Sequence, residues 1–281
     1  MSSSSWDALI ADSDLPRLDA RALAEVVSGQ SRTWLIAHGD AVVSEAIAAQ
    51  FKALVTRRRQ GEPLAYLTGL REFLGRPFEV SPAVLVPRPE TELLVEAALD
   101  RIESVNAPRL LDLGTGSGVI AVSLALARPD AQVLATDCAA DALAVATRNA
   151  ARHRVSARIR FLQGDWWAAL DAQETRFDLI ASNPPYLAHT DPHLGSPALL
   201  HEPMGALASG PEGLDALRIL AAGARMRLAP GGWLVAEHGR DQGAAVRALW
   251  TAQGLGAVQT LPDLHGLDRV TVGQRPLLQP C

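Results

Sequence analysis

Asn183-Pro184-Pro185-Tyr186 is the stretch of this sequence with the clearest chemical consequence. Two consecutive prolines fix φ and donate no backbone hydrogen bond, so their carbonyls are free and rigidly oriented. The Asn183 side-chain oxygen and the Pro184 carbonyl can then accept the two hydrogens of a planar NH2 group. Tyr186 offers an aromatic face for that group to rest against. An amide or ring-amine nitrogen is a poor nucleophile because its lone pair is conjugated. Acceptors on both hydrogens raise its electron density, aim it at an electrophile, and stabilise the positive charge that appears there, as an oxyanion hole does for negative charge. Asn183, Pro184 and Tyr186 are therefore candidate catalytic residues, and Pro185 joins them in the candidate substrate site. The alternative is a stiff turn opening a loop.

A second group of residues supplies what that nitrogen would react with. Leu111-Asp112-Leu113-Gly114-Thr115-Gly116-Ser117-Gly118 joins a strand pattern to a helix pattern, and its glycines let a ligand approach the main chain. A dinucleotide fingerprint needs its third glycine at position 119, which is Val119, and no Gly-Lys-Ser/Thr of a Walker loop follows. Asp137 closes the next strand, where a carboxylate can accept both hydroxyls of a ribose; a helix N-cap is its other reading. Asp165 and Trp166 follow the third strand, placed to accept from an adenine amino group and to offer a ring face. A ribose-bearing cofactor without a diphosphate requirement suits S-adenosylmethionine better than NAD. Gly114, Thr115, Gly116, Ser117, Gly118, Asp137, Asp165, Trp166 and Asn183 form the candidate cofactor site, and the chemistry is methyl transfer to nitrogen.

The surrounding pattern must position both groups. Strand patterns over 109–113, 132–137, 158–163, 177–182, 232–237, 257–261 and 270–273 alternate with helical runs over 119–127, 141–153, 214–228 and 242–252. That alternation predicts an α/β fold, a Rossmann-like, mostly parallel seven-stranded sheet of the class I methyltransferase type, with ligands at the carboxyl ends of its strands. Ahead of it, Leu18, Ala22, Leu23 and Val26 fall at helical spacing before Gly29, and Val43, Ile47, Phe51, Leu54 and Val55 do so before Gly61. The expectation is an N-terminal helical substrate-recognition domain over 1–75, a proline-punctuated, hairpin-like connector over 76–92 and a catalytic domain over 93–281. Trp34 and His38 read as core or helix-surface residues.

Composition narrows the function classes. The 281 residues are 48% hydrophobic, enough for a sizeable core, and 26 Lys+Arg against 31 Asp+Glu give a net charge of −5. That charge removes the simplest argument for a nucleic-acid enzyme, a broadly basic surface, and leaves room for a local basic patch. Cys138 and Cys281 provide no disulfide framework or zinc spacing. No basic n-region with a long apolar run appears at the start, and no apolar stretch reaches membrane-spanning length, which points to a cytoplasmic protein. His189, His193 and His201 match no metal motif, and Arg88 is expected to pair with Glu90 or Glu92. Arg269 is expected to brace the sheet, and Glu237 and His238 to stand behind the site. The rivals are a base-amine methyltransferase acting on nucleic acid, a non-catalytic binding protein and a dinucleotide oxidoreductase.

These motifs, with Gly61-Glu62-Pro63-Leu64-Ala65-Tyr66-Leu67-Thr68-Gly69, Arg71-Glu72-Phe73, Pro87-Arg88-Pro89-Glu90-Thr91-Glu92, Glu202-Pro203 and Arg269-Val270, resemble the HemK/PrmC family of protein-(glutamine-N5) methyltransferases over nearly the whole chain. The resemblance implies that Gly114 to Gly118, Asp137, Trp166 and Asn183 contact S-adenosylmethionine and that Asn183 to Tyr186 receive a glutamine. It implies that this glutamine lies in the Gly-Gly-Gln loop of class 1 peptide chain release factors, which the helical portion helps to engage. A monomer acting on protein, with neither membrane nor direct nucleic-acid binding, is the matching expectation.

Overall fold

The computed structural model describes residues 4–174 and 176–277. They form two compact units, one comprising the chain up to Leu70 together with Gly195–His201, the other Arg71–Leu194 and the chain from Glu202 onward.

The first unit is helical: α1 (Trp6–Ala11), α2 (Arg17–Ser28), α3 (Arg32–Ala37), α4 (Glu45–Arg59) and α5 (Leu64–Thr68). Ser5, Ser31 and Ser44 cap α1, α3 and α4 by accepting from Ala8, Trp34 and Ile47 backbone N–H groups. Gly29 ends α2 in the left-handed conformation (φ 65°). The α2 face differs from the sequence expectation: Leu18 and Val26 are exposed, and Ala20, Leu23 and Ala24 are buried. α2 touches all four other helices, so its contact face carries alanines that let neighbouring backbones come close. Trp6 and Phe51 meet edge to face at 6.2 Å in the core of this unit, while Trp34 stacks on the exposed His38 at 4.5 Å.

The second unit opens with a hairpin, β1 (Leu70–Phe73) and β2 (Arg76–Glu79). Its two-residue turn, Leu74-Gly75, has φ of 48° and 69°, the pair of positive values that twists a hairpin correctly. Phe73 and Phe78 are buried edge to face at 6.0 Å. The hairpin begins ahead of 76–92, with β2 alone inside that range, and Val84-Leu85-Val86 lies outside any strand, with Val84 and Val86 buried.

After α6 (Glu90–Arg101) come β3 (Arg109–Leu113), α7 (Val119–Ala127), β4 (Gln132–Asp137), α8 (Ala140–Arg152), β5 (Ile159–Gln163), β6 (Phe177–Ser182), α9 (Asp215–Arg227), β7 (Leu228–Glu237), α10 (Gly243–Ala252), β8 (Gly256–Pro262) and β9 (Asp268–Gln274). The sheet order is β5-β4-β3-β6-β7-β9-β8, parallel except where β9 pairs antiparallel with β7 and β8. β7 begins four residues before the predicted 232, and the pairing of β6 with β7 slips between Phe177 and Leu179. Helices α6, α7 and α8 cover one face of the sheet and α9 and α10 the other. α7 is apolar almost all round because it is buried almost all round. Strand order reverses between β3 and β6, so a crevice opens beyond their carboxyl ends. The glycine loop leaves β3 there and Asn183 leaves β6 there.

Candidate active site

The glycine loop is locked to the end of β4. Thr115 N–H donates to the Thr136 carbonyl at 2.8 Å, and Gly116 N–H to Asp137 Oδ2 at 2.9 Å. Asp137 Oδ1 accepts from Ala139 N–H at 2.9 Å, although the residue that caps α8 is Ala139. Gly118 has φ 82°, and a Cβ there would stand 3.0 Å from the Ala146 Cβ, so backbone angle and space both call for glycine. Beneath the loop, Asp112 is fully buried; its Oδ2 accepts from Thr115 Oγ1 at 2.6 Å and Ala121 N–H at 3.1 Å. Its Oδ1 has no partner. Burial, opposed by those bonds and reinforced by Asp137, pushes the Asp112 carboxyl up to about 7.

Asn183 follows β6, which is pinned to β3 by Ser182 Oγ donating to the Leu113 carbonyl at 2.7 Å. Asn183 Nδ2 donates to Thr91 Oγ1 at 3.0 Å, and Asn183 Oδ1 is buried with no donor. The Pro184 carbonyl likewise accepts nothing among the described residues. Tyr186 is held by both ends: its hydroxyl donates to Glu237 Oε1 at 3.0 Å, and its carbonyl accepts from Gln242 Nε2 at 3.0 Å. Burial first, and the Glu237 charge beside it, push the Tyr186 phenol far above its ordinary value.

One cavity of 420 Å³, within the usual range for small-molecule sites, joins these parts. Gly114, Thr115, Ser117, Asp137, Asp165 and Trp166 line one portion, and Asn183, Pro184 and Pro185 another. Gly116, Gly118 and Tyr186 stand behind the lining. Trp166 lines it with a left-handed backbone (φ 46°), while Trp167 turns away and donates from Nε1 to the Ile219 carbonyl at 2.7 Å. Gly223 leaves the room for that indole, since a Cβ there would meet its Nε1 at 2.3 Å. Among the described residues no arginine or lysine lines the cavity, whereas Asp137, Asp165 and Asp215 do. That donor set fits a nucleoside carrying a sulfonium cation and leaves a diphosphate without a counter-charge.

The comparisons agree with this geometry. Residues 6–69 match the model described as the PrmC N-terminal domain, and 89–212 the methyltransferase small domain. The release factor glutamine methyltransferase of Bordetella pertussis is 54% identical, over 94% of this chain and 97% of its own length. That of Xylella fastidiosa strain Temecula1 is 53% identical, over 93% and 94%. The chain belongs to the HemK/PrmC family. It is an S-adenosylmethionine-dependent methyltransferase. A T. thermophilus 16S rRNA methyltransferase, solved with AdoMet and guanosine, shares the fold at a TM-score of 0.54 and 24% identity, covering 73% of this chain and 49% of its own.

Several functional contacts of this family member escaped the sequence reading. Arg88 pairs with the buried Glu202 at 2.5 Å, which also accepts from Val86 N–H at 3.0 Å; neither Glu90 nor Glu92 is its partner. Glu92 instead accepts from Leu74 N–H at 2.8 Å, tying the hairpin turn to α6. Asn149 bonds both backbone groups of Glu79 and the Ser117 carbonyl, so it bolts β2 to the glycine loop. A polar residue on the apolar face of α8 was the one available signal for it. Arg269 pairs with Asp263 at 3.2 Å. His189 accepts from Gly210 N–H, His193 pairs with Asp191, and His238 is buried between Gly239 and Thr271. Cys138 lines the cavity; Cys281 lies outside the described residues. Among the described residues no helix is long and apolar enough to cross a membrane.

Proposed function

We propose that this chain methylates the side-chain amide nitrogen (N5) of the glutamine in the Gly-Gly-Gln loop of class 1 release factors. The observation that carries this reading is the buried Asn183 Oδ1, which has no donor of its own and belongs to a residue that lines the cavity together with Pro184. Two such acceptors match the two hydrogens of a primary amide. S-adenosylmethionine, when bound, would supply an electrophilic methyl carbon, its sulfonium sulfur becoming a neutral thioether on transfer, and the methylated nitrogen would then release one proton to solvent to give the neutral amide. Gly114, Thr115, Ser117, Asp137, Asp165 and Trp166 are the residues placed to hold it, with Gly116 and Gly118 shaping the loop behind them. Asn183 and Pro184 orient the amide, withdraw its hydrogens from water and stabilise the charge that builds on nitrogen. Pro184 and Pro185 keep both acceptors from relaxing, and Tyr186 anchors the end of the tetrapeptide.

The helical unit engages the release factor, and the protein acts as a cytoplasmic monomer without binding nucleic acid itself. The identity of the curated relatives over nearly their full length, their printed substrate and the net charge of −5 support this assignment. Incubation with isotope-labelled S-adenosylmethionine and unmethylated release factor tests it. Mass spectrometry is expected to find one added methyl on the Gly-Gly-Gln glutamine. Label on another residue, or on RNA or DNA in preference to the release factor, would overturn the assignment.

A further inference from the structure

An asparagine side chain is symmetric in shape and asymmetric in chemistry. Rotated by half a turn, Asn183 would present NH2 where an acceptor is required. The neighbours of Asn183 settle which end is paired and which is left without a partner. Glu237, the last residue of β7, is completely buried. Its Oε2 lies 2.6 Å from Thr91 Oγ1, and its Oε1 3.0 Å from the Tyr186 hydroxyl. An ionised carboxylate can only accept, so Thr91 must direct its single hydroxyl proton at Glu237. The lone pair that remains on Thr91 can only accept in turn, and it takes a hydrogen from Asn183 Nδ2 at 3.0 Å. With the nitrogen committed to Thr91, Oδ1 is the end left free.

We propose that Glu237, acting through the Thr91 hydroxyl, is the positioning residue that keeps Asn183 turned with its oxygen toward the acceptor nitrogen. The inference rests on the reading of Asn183 as an acceptor for a substrate NH2 group. Through Tyr186 the same carboxylate holds the far end of the tetrapeptide, so one buried charge sets both its polarity and its anchorage. Neither Glu237 nor Thr91 is assigned a chemical step.

The arrangement carries its own pH dependence. A protonated Glu237 can donate to Thr91, which frees the Thr91 proton to point at Asn183 and favours the reversed amide. The groups facing Glu237 act in both directions. Burial is the largest influence and raises its carboxyl, the Thr91 and Tyr186 hydroxyls lower it, the Glu90 charge raises it, and Arg269 lowers it; the result lies above the ordinary carboxylate value. The acid limb of the turnover profile therefore belongs above the usual carboxylate range.

The test uses the full chain with Thr91→Val, Thr91→Ser and Glu237→Gln. It measures kcat and KM for release factor, affinity for S-adenosylhomocysteine by calorimetry, and the Asn183 side-chain amide signals by NMR. Thr91→Val keeps shape and removes the relay. It is expected to lower kcat about tenfold or more, the order expected when a reacting group is mis-set, with KM and cofactor-product affinity within about threefold. The Asn183 amide signals should shift as the Thr91 acceptor for Nδ2 is lost. Thr91→Ser restores the hydroxyl and is expected to keep at least about a third of wild-type kcat. Glu237→Gln is expected to lower kcat and abolish the acid limb. Wild-type kcat in Thr91→Val, equal losses in Thr91→Val and Thr91→Ser, or an acid limb that survives Glu237→Gln would each overturn the positioning role. Wild-type protein that leaves the glutamine unmethylated overturns the acceptor reading beneath it, a result distinct from all three.

Discussion

The two halves of the cavity treat their polar atoms in opposite ways. In the cofactor half both Asp137 oxygens already accept from backbone N–H groups, the glycine loop is tied to the Thr136 carbonyl, and Asn149 bolts the loop to β2. In the acceptor half Asn183 Nδ2 is held by Thr91 and both ends of Tyr186 are bonded, while Asn183 Oδ1 and the Pro184 carbonyl accept from none of the described residues. A buried acceptor without a donor costs stability, on the order of 1–3 kcal/mol; Asp112 Oδ1 and Thr136 Oγ1 carry that cost beneath the glycine loop, and Asn183 Oδ1 carries it where an incoming N–H would relieve it. The cofactor half is built for a shape that persists; the acceptor half is built for an interaction completed only by substrate.

Mutations should separate the halves. Asn183→Ala removes an oxygen that acts as nitrogen becomes positive, and turnover is expected to fall about a hundredfold or more, with folding intact by circular dichroism. Near-normal turnover would erase the distinction between the two halves. Asp137→Ala should act on binding instead. Loss of a charged acceptor, about 1.5–3 kcal/mol, predicts cofactor affinity weaker by roughly 10- to 100-fold in calorimetry, and kcat at saturating cofactor should change far less.

Gly118→Ala tests the rigidity of the loop. A left-handed angle forced on alanine, with Ala146 at 3.0 Å, is expected to cost about 2 kcal/mol and lower Tm by several degrees in a thermal melt. The gentlest probe is pH. Asp112 titrates at about 7 when folded and near 3.9 when unfolded, so between those values the native state holds a proton that the unfolded chain has lost. Its contribution to stability is fully present below about pH 4 and is lost as pH rises through about 7. Denaturant melts across that window should show the decline in wild type and a flatter profile in Asp112→Asn.

What could be read from sequence follows the range of the forces involved. β3, β4 and β6 match their predicted spans because apolar runs bounded by polar turns define buried parallel strands without reference to neighbours. The glycine loop and Asn183 were legible for a similar reason, since each is contiguous and its backbone constraint is written in its own residues. The buried side of α2 was not, because four neighbouring helices select Ala20 and Ala24 over Leu18 and Val26. Nor was the Asn183–Thr91–Glu237 chain, whose members come from α6, β6 and β7 and meet only in three dimensions. Thr91 in isolation is a helix residue, and Glu237 the charged end of an apolar strand. The Arg88 partner was misjudged on the same grounds: Glu90 is near in sequence, Glu202 in space.

Glu237 faces Val270 across the β7–β9 ladder, and β9 is inserted between β7 and β8 although it is the last strand made. During synthesis the carboxylate at the tip of β7 therefore waits on an open strand edge until the end of the sheet arrives to enclose it. A nascent chain halted before β9 would already own its glycine loop and its tetrapeptide, yet its Glu237 carboxylate would still stand on an edge that β9 has not enclosed. Enclosure of the Glu237 carboxylate is in this way deferred until β9 has paired with β7.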